Sequence, residues 1–172
     1  MRGTLDWKPV SAHLDLVAEP LRATLGALDG VEVAAIDPEL ADTAAFCERY
    51  GSPLDHSANC VVIAGRRGEI TRHAAVMVLA TDRADVNGVI RRRLDVRKCS
   101  FAPMADAVNL TGMEYGGITP IGVPADWPIL VDPHVLAAGT VIVGSGLRAS
   151  KLLLPADQLL RLPGAEELAL AQ

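Results

Sequence analysis

Residues 111–122 read Thr111-Gly112-Met113-Glu114-Tyr115-Gly116-Gly117-Ile118-Thr119-Pro120-Ile121-Gly122, four glycines in twelve positions. Glycine reaches backbone conformations closed to other residues and allows a ligand to come close. Exposed amide hydrogens in such a loop can cradle a carboxylate, a phosphate or a developing oxyanion. Gly and Pro continue as far as Pro128, so the whole segment 111–128 is expected to lack regular structure. Loops longer than about 12 residues are uncommon in compact domains and are usually functional. An ordinary surface loop is the alternative; the length favours a ligand-binding one.

On the N-terminal side of the loop, Pro103 occupies a first-turn position, and a helix is expected over 104–110. Residues 98–102 read as a short strand and 85–94 as a helix with a basic face. Two apolar, β-branched runs, 60–64 and 71–80, flank Gly65-Arg66-Arg67-Gly68 and predict a hairpin. Asp42-Thr43 offers an N-cap for a helix through Tyr50, stopped by Gly51 and Pro53. Residues 31–36 alternate as a strand, and 11–28 carry a helical stripe that Pro20 should break or kink. Beyond the loop, 129–131, 141–143 and 152–154 read as short buried strands, with a last helix from Pro155. Helices and strands mix without strict βαβ alternation, which indicates an α+β fold with a mixed sheet.

The chain has 172 residues, the size of one domain, and no linker divides it, so 1–172 is read as a single unit. A chain of this length buries about two-thirds of its unfolded surface and needs neither metal nor disulfide. Its residues are 50% hydrophobic but only 3% aromatic, so the core is aliphatic. Net charge is −5, yet residues 59–100 hold nine basic and four acidic side chains. A polyanion could dock there, on Arg91, Arg92, Arg93 and Lys98 among others; a solvated basic face is the alternative. Three cysteines without CxxC spacing suit a reducing cytoplasm. No leader-like apolar stretch opens the sequence, and no apolar run approaches the 18 residues of a membrane span.

Common catalytic motifs are missing. Gly144-Ser145-Gly146 is followed by Leu, Arg and Ala, which is no dinucleotide fingerprint, and no P-loop, HExxH or GxSxG occurs. His13, His56, His73 and His134 lack the spacing of a zinc pair, and each reads as structural.

The loop resembles the TGxxxGGxxPxG signature of the YbaK/prolyl-tRNA synthetase-associated domain family. Two downstream elements agree with it: Ile129-Leu130-Val131-Asp132, a strand followed by Asp, and Val143-Gly144-Ser145-Gly146-Leu147-Arg148, a turn of small residues. The match spans roughly residues 42–164. It implies an α+β single domain with a mixed, partly barrel-like sheet surrounded by helices. It also implies a cleft receiving the 3′-terminal aminoacyl-adenosine of mischarged tRNA, with no metal and no cofactor.

By the same resemblance, Gly116, Gly117 and Asp132 serve the reaction. Thr111, Gly112, Thr119, Pro120, Gly122, Gly144, Ser145 and Gly146 hold the substrate. Arg148 joins Arg91, Arg92, Arg93 and Lys98 on the tRNA. One position departs: Asn59 stands where the family usually has lysine, in Ser57-Ala58-Asn59-Cys60-Val61. Asparagine supplies a neutral donor and acceptor, and a charge-assisted hydrogen bond is roughly twice as strong. Either another cation, Lys98 or Arg148, replaces the lysine, or catalysis is weakened or altered.

The implied activity is trans-editing hydrolysis of the mischarged aminoacyl ester. A binding module weakened at Asn59, or a hydrolase of small esters, is the alternative. The amino acid, the tRNA and the oligomeric state are open.

Overall fold

A computed structural model describes residues 3–172; Met1 and Arg2 of the 1–172 unit lie outside the described residues. The hairpin organises the larger sheet. Strands β3 (Ala58–Arg67) and β4 (Ile70–Leu79) pair antiparallel, with Arg67 opposite Ile70. The strands therefore run through Gly65, Arg66 and Arg67, and only Gly68-Glu69 turns, with Gly68 at φ +61°. That left-handed angle is what a two-residue hairpin turn requires of its first residue.

β5 (Lys98–Phe101) pairs with β3, while β6 (Ile129–Val131) and β9 (Ala165–Glu167) add in parallel beside β4. The result is a mixed five-stranded sheet, β5-β3-β4-β6-β9. A second, antiparallel sheet is ordered β1-β2-β8-β7, from β1 (Lys8–Pro9), β2 (Glu32–Ala35), β7 (Thr140–Gly144) and β8 (Ser150–Pro155). Among the described residues a single isolated bridge, Ser57 to Ile142, joins the sheets on one side, so the barrel is partial and stays open.

The main core lies between the sheets. Ala75, Met77 and Val131 meet Val33, Val141, Val143, Leu152 and Leu154 there. Alternation along β8 turns Leu153 to the outer face, against Phe46 and Cys47 of α2 (Thr43–Tyr50). Lys151, two residues before Leu153, shares that face. The outer face of the larger sheet is covered by Ile90, Leu94 and Leu170.

Local signals explain most elements. Asp42 caps α2 by accepting from Ala44 and Ala45 N–H, and Gly51 ends it at φ +66°. Pro20 does not break a long helix. Two isolated 3₁₀ turns come first, and α1 (Glu19–Leu25) begins at Pro20's own turn, because proline lacks the N–H that a later turn would need. Residues 86–90 form a wide turn whose N–H groups at Gly88 and Val89 bond Asp85, and α3 (Arg91–Leu94) follows. α4 (Met104–Thr111) starts after Pro103 as expected. The last helix is a 3₁₀ segment, Ala156–Arg161. α5 (Pro133–Ala137), β1 and β9 carry sequence signals too short to anticipate.

Candidate active site

β5 pairs only with residues 63–66 of β3, which leaves 58–62 without a strand neighbour on that side. A cleft of about 420 Å³ opens along this free edge. Its walls are β3 from Ala58 to Val62, the start of α2 with Asp42 and Thr43, the loop residues Tyr115, Gly116 and Ile118, and Gly144 and Lys151 of the other sheet. Ser57 O accepts from Ala80 N–H on the β4 side, whereas Val62 O accepts from Ala102 N–H on the other. In an antiparallel strand these directions alternate, so Cys60, in phase with Val62, presents its N–H and C=O to the open edge. Backbone donors thus reach the cleft without a nest.

Asn59 lines the cleft and accepts from the Thr43 hydroxyl at 2.8 Å through Oδ1. Its two amide N–H donors are the end available to a ligand. Cys60 lines the same wall, where burial pushes its thiol up to about 12. It is a neutral thiol at physiological pH and no nucleophile.

The signature loop and the small turn zip together. Glu114 N–H donates to Gly146 O at 2.9 Å, and Gly146 N–H to Gly117 O at 2.7 Å. Arg148 reaches across to Tyr115 O at 3.2 Å and Pro38 O at 3.0 Å, and its own N–H donates to Glu114 Oε1 at 2.7 Å. A Cβ on Gly117 would lie 2.6 Å from the Leu147 carbonyl, and one on Gly144 would lie 2.5 Å from Gly117 O. These glycines let two backbones touch.

Of the residues expected in the site, Asn59, Gly116 and Gly144 line the cleft. Gly117 is buried directly behind it, against Leu147. Thr111 bonds Ala107 O and Met113 N–H within its own helix end, which Gly112 closes at φ +70°. Thr119 and Pro120 are buried outside the lining, and a Cβ on Gly122 would lie 2.5 Å from Pro20 O. Ser145 is buried and bonds Ser150 Oγ at 2.6 Å, while Gly146 packs on Ala18.

Asp132 does not line the cleft. It is 2% exposed, and its carboxylate accepts from His134, Leu170 and Ala171 N–H at 2.8, 3.0 and 2.8 Å. It caps α5 and holds the residues after β9. His134 in turn bonds Asp82 at 2.7 Å, and these two carboxylates raise the His134 pKa above its ordinary value. His73, in β4, stacks on Trp127.

The basic residues divide. Lys98 lies opposite Arg66, seven residues along β3 from Asn59, or roughly 20 Å at strand rise, so it is no substitute cation in the cleft. Arg93 pairs with Glu166 and Arg91 bonds Asn87 O. Arg92 is exposed with no side-chain bond among the described residues.

The sequence reading missed Lys151. It is 7% exposed in the cleft wall, its Nζ donates to Ala41 O at 3.0 Å, and it sits 5.3 Å from the Phe46 ring centre. Burial pulls its pKa down, opposed by Cys47 and Asp42. A lysine inside an apolar strand run was the available signal.

With this cleft in place, the comparisons fit. The aminoacyl-tRNA editing domain model matches residues 37–162, most of the chain.

The chain belongs to the aminoacyl-tRNA editing domain family.

Solved structures share the editing-domain fold. A protein described as a candidate trans-editing enzyme for prolyl tRNA synthetase superposes with TM-score 0.74 at 21% identity, over 91% of this chain and 99% of that one. A hypothetical protein gives TM-score 0.78 at 17% identity, over 90% and 100%. No curated protein matches the sequence. Among the described residues of this editing domain, no helix is long and apolar enough to cross a membrane.

Proposed function

We propose that this editing domain, read as one unit over 1–172, hydrolyses the ester of mischarged aminoacyl-tRNA in trans, in the cytoplasm and without a cofactor. The observation carrying this is the free edge of β3 facing Gly116 across one cleft, in a chain of the editing family. The cleft has the volume and the few convergent polar groups of a small-ligand site.

The terminal adenosine enters with its ester carbonyl at the strand edge. Backbone N–H at Cys60 and the Asn59 amide then lie where they can meet the carbonyl oxygen as it gains charge. Cys60, the one cysteine among the lining residues, stays a thiol and does not attack. Water therefore attacks the carbonyl carbon, and the neighbouring ribose hydroxyl can accept its proton. The carbon–oxygen bond to the ribose breaks, and the released ribose oxygen takes the proton. A second sieve of this kind is needed because one methylene separates substrates by only about 10–200-fold in binding. Arg92 of α3 and Lys98 of β5 offer charge for phosphates of the acceptor stem, and Arg148 bonds Tyr115 O behind the cleft wall.

The test is a panel of mischarged tRNAs incubated with the protein, following release of the amino acid. Selective release from one class supports the reading. Salt-sensitive tRNA binding without release makes the chain a binding module, and turnover of small esters without tRNA binding makes it an esterase.

A further inference from the structure

Lys151 is a cation buried in the cleft wall; among the described residues it has one hydrogen-bond partner, a carbonyl, and lies 5.3 Å from the Phe46 ring centre. Its ammonium carries three N–H donors, and Ala41 O accepts one of them. No carboxylate lies within 4.0 Å of Nζ among the described residues. Asp42, which follows Ala41 in sequence, spends its carboxylate capping α2 on Ala44 and Ala45 N–H. Arg148, the other cation nearby, already bonds Tyr115 O and Pro38 O. Gly144, the partner of Lys151 across the β7–β8 pair, has no side chain to cover it.

A buried, unpaired charge is costly, and proteins keep one where a counter-charge arrives with the ligand. The fold holds this one in place. Alternation along β8 sends Lys151 to the α2 face, where its Nζ lies 5.3 Å from the Phe46 ring centre and the residue lines the cleft.

We propose that Lys151 is the anion-binding group of the cleft, engaging an anionic oxygen of the bound nucleotide ester. This deepens the editing reading and rests on the cleft being the aminoacyl-adenosine site. The anionic oxygen has two sources: the 5′-phosphate of the terminal adenosine, or the oxyanion that forms on the ester carbonyl. Asn59 contributes a neutral donor from β3, and Lys151 contributes the charge from the opposite sheet.

The experiment measures calorimetric affinity for adenosine 5′-monophosphate and for adenosine, with deacylation kinetics, in wild type, Lys151→Met and Lys151→Arg. Methionine keeps an apolar chain of similar length and removes the charge together with the donor to Ala41 O. If the phosphate is the partner, Lys151→Met weakens the monophosphate roughly 10–100-fold and leaves adenosine unchanged, while Lys151→Arg restores part of the loss. If the oxyanion is the partner, monophosphate affinity holds and kcat falls about 10²–10³-fold at constant KM. Unchanged monophosphate affinity together with unchanged kcat in Lys151→Met overturns the proposal.

Should Lys151→Met fail to fold, wild-type protein carrying ¹⁵N-lysine answers the question. The Lys151 Nζ resonance moves on adding adenosine 5′-monophosphate or an adenosine 3′-phosphonate; no movement with either overturns it. A wild type that deacylates no tRNA, yet loses monophosphate affinity on Lys151→Met, sinks the editing reading and leaves the anion site standing.

Discussion

Gly146 N–H donates to Gly117 O at 2.7 Å, and this contact seats the signature loop on the turn before β8. Gly144 lies on the same seam, where the carbonyls of Gly117 and Ile118 occupy the space of a Cβ. The three glycines make a backbone-to-backbone joint, and the cleft floor at Gly116 depends on it.

Valine at Gly117 or Gly144 is therefore expected to destabilise the fold by at least the roughly 1–3 kcal/mol of an overpacked core, because backbone atoms stand in the way. Gly116→Ala behaves differently. Its φ of +94° makes alanine cost about 1–2 kcal/mol, and the new methyl meets the movable end of Arg148. Urea denaturation should rank Gly116→Ala as the mildest of the three, with its larger loss in ligand affinity. A stable Gly117→Val protein would contradict the joint.

Asp132→Asn should cost roughly 1.5–3 kcal/mol, the worth of hydrogen bonds to a buried charged acceptor. The amide offers one oxygen where three N–H groups now share two. Measured well below the melting temperature, deacylation by this variant should keep its wild-type kcat. A large drop in kcat with intact stability would return Asp132 to the chemistry.

Asn59→Ala is expected to lower deacylation by about 10²–10³, the usual loss for an oxyanion donor. Thr43→Val removes the hydroxyl that orients the Asn59 amide and should cost one ordinary hydrogen bond, about 0.5–1.5 kcal/mol in the barrier. Equal effects of the two changes, or none from Asn59→Ala, would make Asn59 a spectator.

Neutralising Arg91, Arg92 and Arg93 separately should give unequal results. Arg93 is paired with Glu166 and Arg91 with a backbone carbonyl, whereas Arg92 is exposed. Only Arg92→Ala should flatten the salt dependence of tRNA binding, by about 0.7–0.9 in slope for one lost phosphate contact. Three equal slopes would point to a diffuse charge effect.

The Cys60 thiol is held at about 12 in the folded protein, against an ordinary 9.0. Because the folded value is raised, the stability it contributes is fully present below pH 9.0 and is lost as pH climbs towards 12. Cys60→Ala should therefore lack the part of the alkaline destabilisation that wild type shows in this range. At pH 8 the folded protein should also leave Cys60 unmodified by iodoacetamide, with deacylation undisturbed. Rapid modification at Cys60 would reverse the assignment.

Much of this protein was legible in the sequence because the signals are local. The hairpin follows from two β-branched runs around glycines, and α2 from Asp42 at one end and Gly51 at the other. Proline and glycine density marked 111–128 as irregular, and Asn59 and Gly116, sought together, both line the cleft. Caps, turns and strand alternation depend on neighbours a few residues away. The cleft itself does not. That β5 stops at Ile63 and leaves a free edge is a fact of long-range pairing, as is the meeting of Gly117 with Gly146. Asp132 reads as a site residue until the backbone near Leu170 takes its carboxylate. Lys151 reads as an odd charge in a leucine run until α2 packs over its face of β8, and only that packing turns a buried lysine toward the cleft.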